Sequence, residues 1–149
     1  MEKILKSKLR GGKFLGVSGK RSEMMAHIRS KHNKATELKL RTLLINNKIK
    51  GWKRHPKNIF GTPDFYFPKK KLAIFIDGCF WHGCKTCGHI PKTRSAFWKM
   101  KIERNQTRAK MVRSKLRKES VKVMRIWEHV FKSPSQTKRA IENIIKSLE

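Results

Sequence analysis

The residues best equipped for chemistry lie in one stretch, Asp77-Gly-Cys-Phe-Trp-His-Gly-Cys-Lys-Thr-Cys87. The chain has three cysteines, Cys79, Cys84 and Cys87, and all of them fall here, spaced C-x4-C-x2-C. Thiolates at that spacing can converge on one soft or borderline ion, and zinc takes four such ligands in a tetrahedron. The fourth ligand must come from elsewhere. His129 is the first choice, because it follows a strand expected beside 72–76; His89 is the rival, but one residue separates it from Cys87. Four protein ligands leave no open position for water, so this zinc reads as structural.

A second constellation is acidic. Asp64 precedes one strand candidate and Asp77 ends the next, so a hairpin would bring them together. Phosphodiester hydrolysis needs a metal to neutralise the phosphate and an activated water, and a carboxylate is the usual magnesium ligand. His82 can shuttle a proton near neutral pH. Glu37 lies three residues before Leu40 and seven before Leu44, on the apolar side of its helix, where it would hold a water or the metal. On turn statistics alone, Asp64 and Asp77 read equally well as a turn residue and a cap. Phe80, Trp81 and Trp98 are poor core elements for a polar loop, and wedging between base pairs is one use of such side chains. Packing over the zinc loop is the other, for at least one of them.

The elements that would position these groups follow from periodicity. A basic arm, 1–20, rich in Lys, Gly and Ser, precedes a domain spanning 21–149. Ser22 caps a short helix to about Arg29. A helix over 34–47 carries Leu40, Leu43 and Leu44 on one face. Strands are expected at 52–54, 64–67 and 72–76, the last buried on both faces, with a turn over 68–71. A long helix over 95–118 follows, with a stripe of Ile102, Ala109, Val112 and Leu116 that also includes Asn105. A strand over 121–127 precedes a last helix, in which Ser133 is the cap, Pro134 the first residue and Gln136 closes a capping box. Its buried face is Ile141, Ile144, Ile145 and Leu148. This order describes an α/β protein, a small mixed sheet flanked by helices.

Composition narrows the partner. The chain has 149 residues, 38 Lys and Arg against 10 Asp and Glu, and a formal charge of +28. The basic residues run from end to end, which favours a polyanion and salt-sensitive binding. An odd cysteine count without a signal peptide favours metal over disulfides and a reducing cytoplasm. The apolar run 72–76 is far too short to span a bilayer. A zinc site beside a hydrolytic site in a chain this basic points to a DNA-cutting enzyme. The plainer rival is a non-catalytic, zinc-stabilised nucleic-acid-binding module.

The stretch from Pro63-Asp64 through Ile74-Phe-Ile-Asp-Gly-Cys-Phe-Trp-His82 resembles the very short patch repair (Vsr) DNA mismatch endonucleases. So do Arg21-Ser-Glu-Met-Met25, Lys34-Ala-Thr-Glu37, Thr93-Arg-Ser-Ala-Phe-Trp98 and Val123-Met-Arg-Ile-Trp-Glu128, which occur in the same order. The resemblance implies a restriction-endonuclease-like fold and a magnesium-dependent, strand-specific cut in double-stranded DNA at T:G mismatches. It implies that Asp64 binds magnesium through its side chain and Ile76 through its carbonyl, with His82 moving a proton and Glu37 supporting the water. Phe80, Trp81 and Trp98 would wedge into DNA, and Cys79, Cys84, Cys87 and His129 would hold structural zinc. In the best-known members the second zinc ligand is His and the last is Cys; here Cys84 and His129 reverse those types, and Cys87 falls one residue later. The position of Asp77 varies within the family. Homing and restriction-associated nucleases share this core, so sequence-directed cutting is the alternative outcome. Nothing reads as a dimer seam, and a monomer is expected.

Overall fold

The computed structural model describes residues 34–149. The basic arm 1–20, the short helix begun by Ser22 and the Arg21–Met25 segment of the resemblance lie outside the described residues. The chain enters through helix α1 (Lys34–Asn46) and reaches strand β1 (Lys53–Arg54). A tight hairpin follows, β2 (Phe65–Phe67) and β3 (Leu72–Asp77). Pro68 fixes the first turn residue, Lys71 takes a left-handed φ of 46°, and the Lys71 N–H donates to the Pro68 carbonyl at 3.2 Å. The register is Phe65 opposite Ile74 and Phe67 opposite Leu72.

Helix α2 (Ser95–Lys118) then carries the chain back to strand β4 (Lys122–Trp127), which runs parallel to β3 from Leu72–Lys122 to Asp77–Trp127. The four-stranded sheet is therefore mixed, in the order β1-β2-β3-β4. A 3-10 turn (Glu128–Lys132) and helix α3 (Pro134–Leu148) complete the described chain.

Alternation along β3 makes two cores. Leu72 and Ile74 face α1 and α3, packing with Phe65, Phe67, Ile126, Phe131, Leu40, Leu44, Ile141 and Ile144. Ala73 and Phe75 face α2, packing with Tyr66, Val112, Leu116 and Val121. Helices thus cover both faces, as a continuous apolar strand requires. The same alternation sends Ile76 toward α1 and α3, and Asp77 toward α2. Truncating Leu116 or Ile144, both fully buried, to alanine would cost about 2–5 kcal/mol.

Several local expectations are corrected. The β2 strand begins at Phe65, leaving Asp64 as a bend. Trp52 lies outside β1 and meets the Phe65 ring edge-on at 5.4 Å. Ser133 Oγ accepts from the Gln136 N–H at 3.5 Å, but the Ser133 N–H donates to the Val130 carbonyl at 3.3 Å. The preceding 3-10 turn supplies the acceptor that Gln136 was expected to provide. Ile145 stays exposed, because the packed stripe of α3 runs through Ala140, Ile141, Ile144 and Leu148.

Candidate active site and metal centre

The loop after β3 folds as a series of turns. The His82 N–H donates to the Gly78 carbonyl at 3.1 Å, Cys84 to Cys79 at 2.9 Å and Gly88 to Cys84 at 2.8 Å. Two consecutive amides of α2 hold it from outside. Asn105 Nδ2 donates to the Trp81 carbonyl at 3.0 Å, and Gln106 Nε2 to the His82 carbonyl at 2.9 Å. This accounts for a polar Asn105 on an otherwise apolar stripe. Gly83 makes the close approach possible: its φ is +63°, and a Cβ there would meet Ile102 Cγ2 at 2.8 Å and Gln106 Nε2 at 2.9 Å.

Those turns bring the three thiols to His129, the second residue of the 3-10 turn after β4. His129 Nδ1 lies 3.3 Å from Cys79 Sγ, 3.4 Å from Cys84 Sγ and 3.5 Å from Cys87 Sγ, and the Cys84 and Cys87 sulfurs are 3.7 Å apart. Tetrahedral zinc, with Zn–S roughly 2.3 Å and Zn–N roughly 2.0–2.1 Å, sets S···N about 3.6 Å and S···S about 3.8 Å apart. The donor set therefore fits one metal ion. Electrostatics agree: burial pushes the Cys79 thiol up to about 12, so a thiolate there needs a cation beside it. Burial also opposes ionisation of Cys84, but the backbone N–H groups of Cys87 and Thr86, the Cys87 thiol and the neighbouring His129 together lower that thiol to about 6. Of the two candidate histidines, His129 joins the cysteines. His89 lies instead near the Phe80 ring, at 6.1 Å.

The four expected hydrolytic residues make two sets of contacts at the end of β3, where Asp64 bonds the Ile76 N–H directly before Asp77. Asp77 is buried and accepts from Arg125 of β4 in a bidentate pair, Nε to Oδ2 at 2.6 Å and Nη2 to Oδ1. His82 Nε2 stands 3.8 Å from Asp77 Oδ1. Burial lowers the His82 pKa below its ordinary value; Asp77 opposes that shift, and Arg125 and Arg108 add to it. The ring is therefore neutral near pH 7 and can accept a proton.

Asp64 belongs to the other group. Its Oδ2 accepts the Ile76 N–H at 2.7 Å. Its Oδ1 faces His55 Nε2 at 3.7 Å, and the same nitrogen lies 3.0 Å from Glu37 Oε2. Arg54 Nη2 donates to that glutamate oxygen at 3.0 Å. Glu37 is buried on α1, at the side expected from its spacing to Leu40 and Leu44. The two sets of contacts approach along β3, since the Ile76 amide that Asp64 accepts from directly precedes Asp77.

Three residues of these groups escape a reading of spacing. Arg125 left one signal, a charge inside an otherwise apolar strand. Arg54 ends a two-residue strand with no periodicity, His55 follows it, and neither left a signal. His55 carries a left-handed φ of 44°.

The aromatic residues pack on one another. Phe80 meets Trp81 at 5.1 Å and Trp98 at 5.2 Å, edge to face, and Phe97 abuts Trp98 at 5.2 Å. Phe80 and Trp81 are half-buried, whereas Trp98 is buried behind them. Among the described residues, no helix is long and apolar enough to cross a membrane.

The family model described as DNA mismatch endonuclease Vsr matches residues 17–89. The chain is 34% identical to the Type II nicking enzyme V.XorIIP of Xanthomonas oryzae pv. oryzae, over 85% of this chain and 92% of the relative. It is 32% identical to the Type II nicking enzyme V.NmeAIP of Neisseria meningitidis, over 89% of this chain and 94% of the relative. It is also 32% identical to the DNA mismatch endonuclease Vsr of Escherichia coli, over 63% of this chain and 60% of that protein. With near full-length likeness to two nicking enzymes, the chain belongs to the Vsr family and is a DNA endonuclease, a hydrolase.

Proposed function

We propose that this endonuclease nicks one strand of double-stranded DNA at T:G mismatches, with magnesium, and so begins very short patch repair. The observation that carries the reading is the grouping at the end of β3: Asp64 bonded to the Ile76 N–H, with His82 a few residues beyond. The fold reads as restriction-endonuclease-like, residues 21–149 as the endonuclease domain and 1–20 as a basic arm. The enzyme works as a cytoplasmic monomer.

In this reading Asp64 and the Ile76 carbonyl hold the magnesium. The N–H and C=O of a strand residue point to the same edge, and the Ile76 N–H already faces Asp64. When bound, magnesium neutralises the scissile phosphate and acidifies a water. His82, neutral and steadied by the Asp77–Arg125 pair, takes the proton as water attacks phosphorus and one P–O bond breaks. Glu37 holds the water or the metal. Phe80 and Trp81 wedge into the duplex with Trp98 behind them. Cys79, Cys84, Cys87 and His129 hold a structural zinc that fixes the loop bearing His82.

A second reading, a sequence-directed nick, is favoured by the names of the Type II nicking enzymes among the relatives. Asp64→Ala tests the catalytic assignment. Cutting should vanish while DNA binding and zinc content persist; cutting that survives would remove Asp64 from the reaction.

A further inference from the structure

The proposed reaction uses Glu37 and Asp64 but not His55, which sits between them. His55 Nε2 lies 3.0 Å from Glu37 Oε2 and 3.7 Å from Asp64 Oδ1, and its backbone N–H donates to the Asp64 carbonyl at 3.4 Å. The three ligand atoms all lie within 4.8 Å of one another. We propose that His55 is a direct metal ligand, and that Glu37, His55 and Asp64 together form a divalent-cation site that prefers manganese to magnesium. The proposal rests on the reading of Asp64 as a metal ligand. It adds the nitrogen donor and the class of ion.

Adjacent donors around an octahedral ion with bonds of about 2.1 Å stand about 3.0 Å apart. The His55–Glu37 spacing already has that length, and the His55–Asp64 spacing needs to close by well under an ångström. The donor types decide the ion. Magnesium keeps its waters and takes oxygen ligands. An imidazole nitrogen suits transition ions, and manganese is the transition ion that shares magnesium's suitability for carboxylate oxygens, so it matches a set of one nitrogen and two carboxylates. The glutamate side of the cluster is shielded from solvent, since the Glu37 side chain is 2% exposed.

The competing account is an ion-pair network in which Arg54 and His55 only neutralise Glu37. Arg54 Nη2 does share the Oε2 atom, at 3.0 Å. Its side chain is 39% exposed, however, and can withdraw to water; that of His55, 28% exposed, is held by the left-handed backbone and the Asp64 carbonyl. A pure ion-pair network predicts no nitrogen-ligated ion here.

The test uses the full chain with its cysteine site filled with zinc, titrated with manganese in the absence of DNA. Loss of the free-ion EPR signal reports binding, and pulsed EPR reports nitrogen in the coordination shell. The expected result is a 14N coupling that disappears in His55→Gln and persists in His82→Gln. Manganese affinity should fall at least about tenfold in His55→Gln, and magnesium should displace manganese only in excess. Nitrogen coupling that survives His55→Gln, manganese bound through oxygen alone, no binding of manganese, or magnesium binding as tightly would overturn the proposal. Asp64→Asn separates the two readings: if it abolishes manganese binding while no nitrogen is seen, Asp64 stands as a ligand and His55 does not. Manganese binding that is indifferent to Asp64→Asn overturns both. Should His55→Gln fail to fold, 15N-histidine labelling of the unsubstituted protein must convert the 14N pattern to 15N, and His82→Gln must retain it; an unchanged pattern overturns the proposal.

Discussion

Replacing Arg125 by methionine should destabilise the fold far more than its surface position suggests. Its guanidinium makes both hydrogen bonds of a bidentate pair with Asp77, whose side chain is 8% exposed. Breaking a buried pair by removing one partner costs about 3–5 kcal/mol, mainly because the remaining charge is stranded. Arg125 itself is 22% exposed and His82 stands 3.8 Å from the carboxylate, so the lower end, about 3 kcal/mol, applies. For a chain of this size that corresponds to a fall in Tm of about 10 °C. Asp77→Asn in the same background removes the stranded charge, and the double variant should regain roughly half of the loss. Urea unfolding monitored by tryptophan fluorescence measures Arg125→Met, Asp77→Asn alone and the double variant. A loss below about 1 kcal/mol for Arg125→Met, or strictly additive single effects, would refute the claim that Asp77 is a buried charge held by Arg125.

Three further outcomes follow from the loop geometry. Gly83→Ala should lower stability by about 1–3 kcal/mol, since it forces a side chain into a left-handed φ against Ile102 and Gln106; a neutral effect on Tm would contradict that packing. Cys84→Ala or His129→Ala should reduce bound zinc from one equivalent to a small fraction, read by elemental analysis, whereas His89→Ala should leave it unchanged. Brief EDTA treatment should stop cutting, and magnesium should restore it with zinc still bound; restoration by zinc alone would contradict the division between structural and catalytic metals.

The parts of the fold that are legible in the sequence are those written in short-range patterns. The α2 helix runs over Ser95–Lys118 as its stripe and flanking turns imply, and the 72–76 run forms the interior strand because nothing else in the chain is continuously apolar. The clustered cysteines were visible because their spacing is local, and His129 because it follows a strand that had to lie beside β3. Pairings across the fold were not visible. Arg125 and Asp77 are 48 residues apart, and they meet only because parallel pairing aligns β4 with β3. The position of His55 depends on a left-handed backbone after a two-residue strand, and no periodicity encodes such a bend.

The most direct measurement is incubation of the protein and magnesium with a labelled duplex carrying one T:G mismatch, beside the matched T:A duplex and an Asp64→Ala control. The account predicts a single nick beside the mismatched T, absent from the matched duplex and from the variant. Equal nicking of both duplexes would contradict mismatch recognition and leave a sequence-directed nickase.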